Sequence, residues 1–163
     1  MGNDEYLERL LAKHAGNGLL IDTNLLLLLA VGNYDRRRIE SFKRTAAYTH
    51  NDFLRLKWLA GHFRHLWTTP NILTEVDNFG RQLPKNEWQG FAASLSKLAL
   101  GMNEEFVRFS TAAAQGTLPR LGLTDTVTLA TGQSFLLLSD DFGLYLAAQK
   151  LGYDAINFNH LRA

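Results

Sequence analysis

Apolar and polar residues alternate along this chain with two different periods. Apolar runs at residues 19–22, 66–69 and 135–138 have the length of short buried strands, and a last short strand is predicted around 154–157. Between these strands, apolar residues recur every three or four positions, which predicts amphipathic helices. Because short strands alternate with helices, we expect one α/β domain over residues 1–163, with helices on both faces of a central parallel sheet in a three-layer α/β/α arrangement.

The helices predicted by this pattern fill most of the remaining chain. In chain order they lie at residues 4–14, through the leucine run that follows residue 23, twice within 33–65, from residue 71, from Pro84, at 103–114, from residue 123, and up to residue 149. Thr124 is the candidate N-cap of the helix that opens near residue 123. The two helices within 33–65 form an insertion after the first βα unit. Trp58, Trp67 and Trp88 fall on apolar stripes and are expected in the core.

Acidic residues stand where predicted strands end or helices begin. Asp22 follows the apolar run LLI, and Asp140 and Asp141 follow FLLLS. Glu75 lies about one and a half helical turns beyond the strand at 66–69, and Asp125 stands at a helix start, where the backbone dipole favours a carboxylate. Ligands of parallel sheets bind beyond the carboxyl ends of the strands, so these five residues could converge on one site. Taken singly, each aspartate could be an ordinary helix cap and Glu75 an ordinary surface residue.

The net charge of +1 conceals an uneven distribution along the chain. Residues 36–67 carry eight basic residues and only two acidic ones, a net charge of +6 that leaves −5 for the remainder. The basic residues of this segment are Arg36, Arg37, Arg38, Lys43, Arg44, Arg55, Lys57 and Arg64. A basic segment beside an acidic region suits contact with a polyanion such as nucleic acid, although two solvated helix faces would give the same counts. Tyr34 and Tyr48, near the arginines, are the aromatic candidates for stacking on bases.

Composition excludes several kinds of site. The chain has no cysteine, so it has neither a disulfide framework nor a thiolate metal site. His50, His62 and His65 are not spaced like zinc ligands and are expected on a helix surface or in the core. The first residues are acidic where a signal peptide is basic, and the run at 19–31 is too short to span a bilayer. We therefore expect a cytoplasmic protein without membrane contact.

Four ordered segments resemble the motifs of PIN domains, a family of metal-dependent nucleases. They are LLIDTN, TTPNILTEVDNF, LGLTDTVTLA and LLLSDDFGLYLAAQKLGYDAINFNHLR, and together they cover most of the chain from residue 19 to residue 162. The resemblance implies a doubly wound PIN-like fold in which the helical insertion is the variable part. It also implies metal-binding and catalytic roles for Asp22, Glu75, Asp125 and Asp141, with Asp140 as an extra ligand. Asn24 and Ser139 match supporting polar positions of the motifs, and Thr124 is expected in the same role.

The chemistry of such a site calls for these residue types. Clustered carboxylates repel one another, so at neutral pH they need either a cation or partial protonation. Oxygen ligands without thiolates favour Mg²⁺ or Mn²⁺ over zinc. The expected reaction is phosphodiester hydrolysis by a metal-activated water, with Glu75 or Asp125 assisting its deprotonation and the basic segment gripping the phosphate backbone.

Several functions remain open at this point. The small size resembles the VapC-type ribonuclease toxins, which would imply an RNA substrate, an antitoxin protein and a homodimer as partners. The alternatives are an RNA-processing or DNA-directed PIN nuclease in a larger assembly, and a PIN-like module that binds RNA or a protein without cutting. Two other classes with a strand-end aspartate fit less well: a haloacid dehalogenase-type phosphatase would have aspartate at Asn24, and a phospho-accepting receiver would have paired acids after the first strand.

Overall fold

The sheet of this protein is parallel throughout. A computed structural model describes residues 3–162, so residues 1, 2 and 163 of the predicted domain lie outside the described residues. The strands are β1 Leu19–Ile21, β2 Leu66–Thr68, β3 Asn103–Glu104, β4 Leu136–Ser139 and β5 Ala155–Asn157. Their order in the sheet is β3-β2-β1-β4-β5, and every neighbouring pair is parallel. With helices flanking this sheet, the predicted three-layer α/β/α class is confirmed.

The helices match the predicted segments in most places. They are α1 Asn3–His14, α2 Thr23–Tyr34, α3 Arg38–Ser41, α4 His50–Ala60, α5 Pro70–Gly80, α6 Trp88–Leu100, α7 Phe109–Ala113, α8 Leu118–Leu121, α9 Leu123–Thr131 and α10 Phe142–Lys150. Short 3-10 turns at Lys85–Glu87 and Phe158–Leu161 precede α6 and follow β5. Both helices predicted in the insertion are present as α3 and α4.

The leucine run is apolar on all sides because α2 is enclosed on all sides. The five leucines at 25–29 are buried, and α2 contacts α4, α5 and α6 as well as the sheet. A helix that is hydrophobic all round is stable in water only when it is buried in this way. Gly32 allows the ring of Phe53 on α4 to pack directly against α2, since a Cβ atom at this position would lie 2.4 Å from that ring.

The structure corrects three local predictions. The helix predicted at 103–114 is absent as such: its first two residues form the edge strand β3, and only Phe109–Ala113 are helical. Thr124 is not an N-cap, because α9 begins one residue earlier and Gly122 occupies the cap position. Trp58 is not a core residue; its side chain is 57% exposed and meets His62 edge-on, whereas Trp67 and Trp88 do pack partly buried against the core.

The strand order places β1 and β4 side by side at the centre of the sheet. From β1 the chain proceeds through β2 to β3 on one side, and it returns through β4 to β5 on the other. The loops that follow β1 and β4 therefore meet at the point where the direction of winding reverses, the usual ligand crevice of open α/β sheets. Among the helices of residues 3–162, none combines the length and the apolar character needed to cross a membrane.

Candidate acidic site at the carboxyl edge of the sheet

Asp22 is the most deeply buried carboxylate at this edge. Its backbone N–H donates to the carbonyl of Leu138 at 3.0 Å, which extends the pairing of β1 with β4 by one residue. Its side chain is the N-cap of α2 and accepts from the backbone N–H of Thr23 at 2.7 Å. The other carboxylate oxygen accepts from the Ser139 hydroxyl at 2.5 Å. Asp22 thus caps a helix and faces the end of the neighbouring strand at the same time.

Ser139 joins the ends of the two central strands. Besides donating to Asp22, its hydroxyl oxygen accepts from the backbone N–H of Asp141 at 3.0 Å. Asp141 in turn caps α10, because its carboxylate accepts from the N–H of Leu144 at 2.8 Å. A single buried hydroxyl therefore fixes the positions of two predicted metal ligands relative to each other.

Two of the remaining acidic residues, Glu75 and Asp140, are also held by neutral donors. The Thr23 hydroxyl lies 3.1 Å from a carboxylate oxygen of Glu75 and donates to it, which links α2 with α5. Asn24 donates its amide to Asp140 at 3.3 Å, and the Tyr48 hydroxyl donates to the second oxygen of the same carboxylate. The carboxylate of Asp125, in the first turn of α9, accepts no hydrogen bond from the described residues.

Two carboxyl groups of the cluster are harder to ionise than usual. Burial is the main cause that raises the pKa of Asp22 from 3.8 to about 6, with Asp140 and Asp141 adding repulsion. Hydrogen bonds from Ser139 and Thr23 act in the opposite direction. Burial likewise raises the pKa of Asp125 to about 7. The further causes at Asp125 are the charges of the four other acids, in the order Asp22, Asp141, Glu75 and Asp140.

The five carboxylates therefore share one electrostatic environment. Among residues 3–162, none of the five forms an ion pair with a basic side chain. Oxygen donors that repel one another and lack a cationic side chain suit a hard divalent cation such as Mg²⁺ or Mn²⁺. No three acidic or histidine side chains in this stretch already surround a common point as metal ligands. Some of these side chains would therefore have to rotate before three of them could bind one cation.

The structure brings the predicted acidic residues together. Of the three predicted supporting residues, two contact these acids and one does not. Asn24 and Ser139 each donate to a carboxylate of the cluster, which is the contact that a supporting role requires. Thr124 makes no side-chain hydrogen bond to these acids within the described residues; only its backbone carbonyl is used, by the hydroxyl of Thr128. The ligand and catalytic roles themselves stay predictions.

Sequence reasoning missed two residues that touch the acids. Thr23 stands inside the motif LLIDTN, next to Asp22, so a hydroxyl beside a strand-end carboxylate was a usable signal. Tyr48 lies outside all four motifs, and the sequence presents it only as a candidate for stacking on bases. Its side chain is only 3% exposed, so its ring is not accessible to a base. The exposed aromatic beside the acids is instead Phe142, which directly follows Asp141 and is 58% exposed.

The basic residues of the insertion fall into two groups. Arg38 forms an ion pair with Glu87, and Arg55 donates to the backbone carbonyl of Leu161, so these two guanidinium groups are used within the protein. The remaining six are exposed: Arg36, Arg37, Lys43, Arg44, Lys57 and Arg64. Of these, Arg37 also forms an ion pair with Asp35 at 2.9 Å, and Arg44 donates to the side chain of Gln82 at 2.9 Å. These six charges are accessible to solvent, and their contact with a polyanion stays a prediction.

Comparisons with known proteins add no family assignment. Neither the models of known protein families nor the curated protein sequences contain a match to this chain. The function of this chain is therefore inferred from the acidic site and from the motif resemblance.

Proposed function

We propose that this chain is a divalent-metal-dependent nuclease that hydrolyses phosphodiester bonds, with RNA as its substrate. The observation that carries the proposal is the cluster of five carboxylates at the junction of β1 and β4, without a basic partner among the described residues. Burial and mutual repulsion raise the pKa of Asp22 and Asp125, and a bound divalent cation would favour the charged forms of both carboxyl groups. The resemblance of four segments to PIN motifs points to the same residues and supports the proposal.

Within this proposal, the residues have distinct tasks. Asp22, Glu75, Asp125 and Asp141 would hold Mg²⁺ or Mn²⁺, with Asp140 adding charge or a further ligand. When bound, the cation supplies positive charge that activates water and stabilises the phosphodiester during cleavage. Asp125 is the better candidate for accepting the proton of that water, since Glu75 is already engaged by the Thr23 hydroxyl. Ser139 and Asn24 orient the carboxylates.

Metal-dependent stability tests this proposal before any substrate is known. A ligand that binds only the folded state raises the melting temperature by mass action. We expect millimolar Mn²⁺ or Mg²⁺ to raise the melting temperature of the wild-type chain by several degrees, and to raise that of Asp22→Asn by much less. Glu40→Gln removes an exposed carboxylate outside the cluster and is the matched control. Equal responses of wild type and Asp22→Asn would contradict a metal site at Asp22.

A binding module that does not cut is the second candidate. Two observations favour it: Asp22 and Asp141 both serve as helix caps, and the carboxylates of the described residues are not arranged as a ready ligand shell. It predicts nucleic-acid binding without a response to Mn²⁺ and without cleavage. The finer alternatives, a toxin with its antitoxin or an RNA-processing or DNA-directed enzyme in an assembly, share the same site and differ in substrate and partner.

A further inference from the structure

The helical insertion contacts the acidic cluster through Tyr48, which lies between α3 and α4. The Tyr48 hydroxyl donates to one oxygen of Asp140, and Asn24 donates to the other oxygen. Both oxygens of this carboxylate are thus engaged by neutral donors, one from α2 and one from the insertion. Burial raises the pKa of Tyr48 far above its usual range, so the hydroxyl remains a donor throughout the pH range of interest.

The end of the chain holds the Tyr48 ring in place. The guanidinium carbon of Arg162 lies 5.2 Å from the centroid of that ring, within the range of a cation–π contact. The same guanidinium pairs with Asp52 at 3.0 Å and donates to the carbonyl of Ala47 at 2.5 Å. Asp52 is itself fixed, because it closes a capping box with Thr49 at the start of α4.

We propose that Tyr48 is a positioning residue for Asp140, and that Arg162 sets the position of Tyr48. Asp140 follows the last residue of β4 and is partly exposed, so without these donors its carboxylate would rotate. Asn24 is fixed by α2, and Tyr48 is fixed by its burial and by Arg162, so both donors keep the charge of Asp140 directed at the site. A preorganised ligand or charge binds a cation more tightly than a mobile one. The inference rests on the proposed function, because it assigns Tyr48 a task toward the cation of that site.

Removal of one hydroxyl tests the inference. Tyr48→Phe keeps the ring, its packing and its contact with Arg162, and it deletes only the donor to Asp140. We expect Mn²⁺ affinity, measured by isothermal titration calorimetry, to fall about three- to tenfold, the equivalent of one hydrogen bond. In the Asp140→Asn background the same substitution should leave the affinity unchanged. Tyr145→Phe is the matched control, since its hydroxyl accepts from Gln149 and lies outside the cluster.

The outcomes separate this inference from the proposed function. Wild-type affinity in Tyr48→Phe, or an equal loss in the presence and absence of Asp140, would overturn the positioning role while leaving the metal site intact. A wild-type chain that takes up no Mn²⁺ would overturn both. If Tyr48→Phe fails to fold, Arg162→Gln gives a second test. We expect it to lower the Mn²⁺ affinity by less than the three- to tenfold expected for Tyr48→Phe. Unchanged affinity would overturn the role of Arg162 in positioning Tyr48.

Discussion

Asp22 is an acidic residue in a buried position, with only 4% of its surface exposed. We expect Asp22→Asn to stabilise the metal-free chain at pH 8 by about 1 to 3 kcal/mol, since a pKa raised by about two units corresponds to roughly 3 kcal/mol. The folded-state pKa of about 6 exceeds the unfolded value of 3.8, so the folded state binds the proton more tightly. Ionisation of Asp22 therefore lowers the free energy of unfolding of the wild type as the pH rises from about 4 to about 6. Above that range, the contribution of this group is constant.

Urea unfolding in a chelator at pH 4, 6 and 8 measures this difference. Most of the advantage of Asp22→Asn should be gone at pH 4, where the wild-type side chain is protonated in the folded state and about half protonated in the unfolded state. Glu40→Gln, which removes an exposed carboxylate, should show no such pH dependence. An advantage of equal size at pH 4 and pH 8 would mean that the charge of Asp22 is not what burial penalises.

Single residues also show what a sequence can and cannot predict about a site. The positions of Asp22 and Asp140 at the edge of the sheet could be predicted, because each residue follows an apolar strand directly. Glu75 and Asp125 follow no strand directly, so their place in the cluster was predicted only from the joint pattern of acids and from the motif resemblance. The contact of Tyr48 with Asp140 was not, because the two residues are 92 positions apart and belong to segments with no common pattern. Tyr48 also resembles an RNA-stacking residue in sequence, since its arginine neighbours are visible there and its burial is not.

At the scale of elements, Asp141 combines a helix cap with a predicted metal ligand, and two substitutions separate these roles. Asp141→Asn keeps an oxygen that can accept from the N–H of Leu144, so stability should change little, but Mn²⁺ affinity should fall at least tenfold. Asp141→Ala should lose the affinity and, in addition, about 1 kcal/mol of stability through loss of the cap. Calorimetry and urea unfolding of the pair distinguish the roles. Undiminished Mn²⁺ binding by Asp141→Asn would leave Asp141 as a cap only.

The strands whose side chains are apolar were predicted from the sequence, whereas the strand that is held only by backbone hydrogen bonds was not. The strands β1, β2, β4 and β5 contain apolar runs that could be recognised directly. β3 consists of Asn103 and Glu104, both exposed, and it exists only because their backbone pairs with β2. An edge strand without buried side chains leaves no hydrophobic pattern, so the sequence alone predicts the start of a helix at residue 103 instead.

At the scale of the whole molecule, the acidic cluster and the basic insertion are parts of one structure that Tyr48 connects. The uneven charge predicted a polyanion surface, and the ion pair of Arg38 and the hydrogen bond of Arg55 reduce the groups available for it. Arg36 and Arg37 line a shallow groove together with Glu40 and His50. The most direct contacts with a phosphate backbone are therefore expected from exposed residues such as Arg36 and Lys43.

Replacing Arg36 and Lys43 together by glutamine should weaken the binding of single-stranded nucleic acid and reduce its dependence on salt. Each lost phosphate contact lowers the slope of log K against log salt by about 0.7, so two contacts predict a change of about 1.4. Fluorescence anisotropy over a series of salt concentrations measures both quantities. The matched control is the double replacement of Lys97 and Lys150, which makes the same charge change on α6 and α10. If both double variants change the slope equally, net charge alone governs binding, and the insertion is not the surface that contacts the nucleic acid.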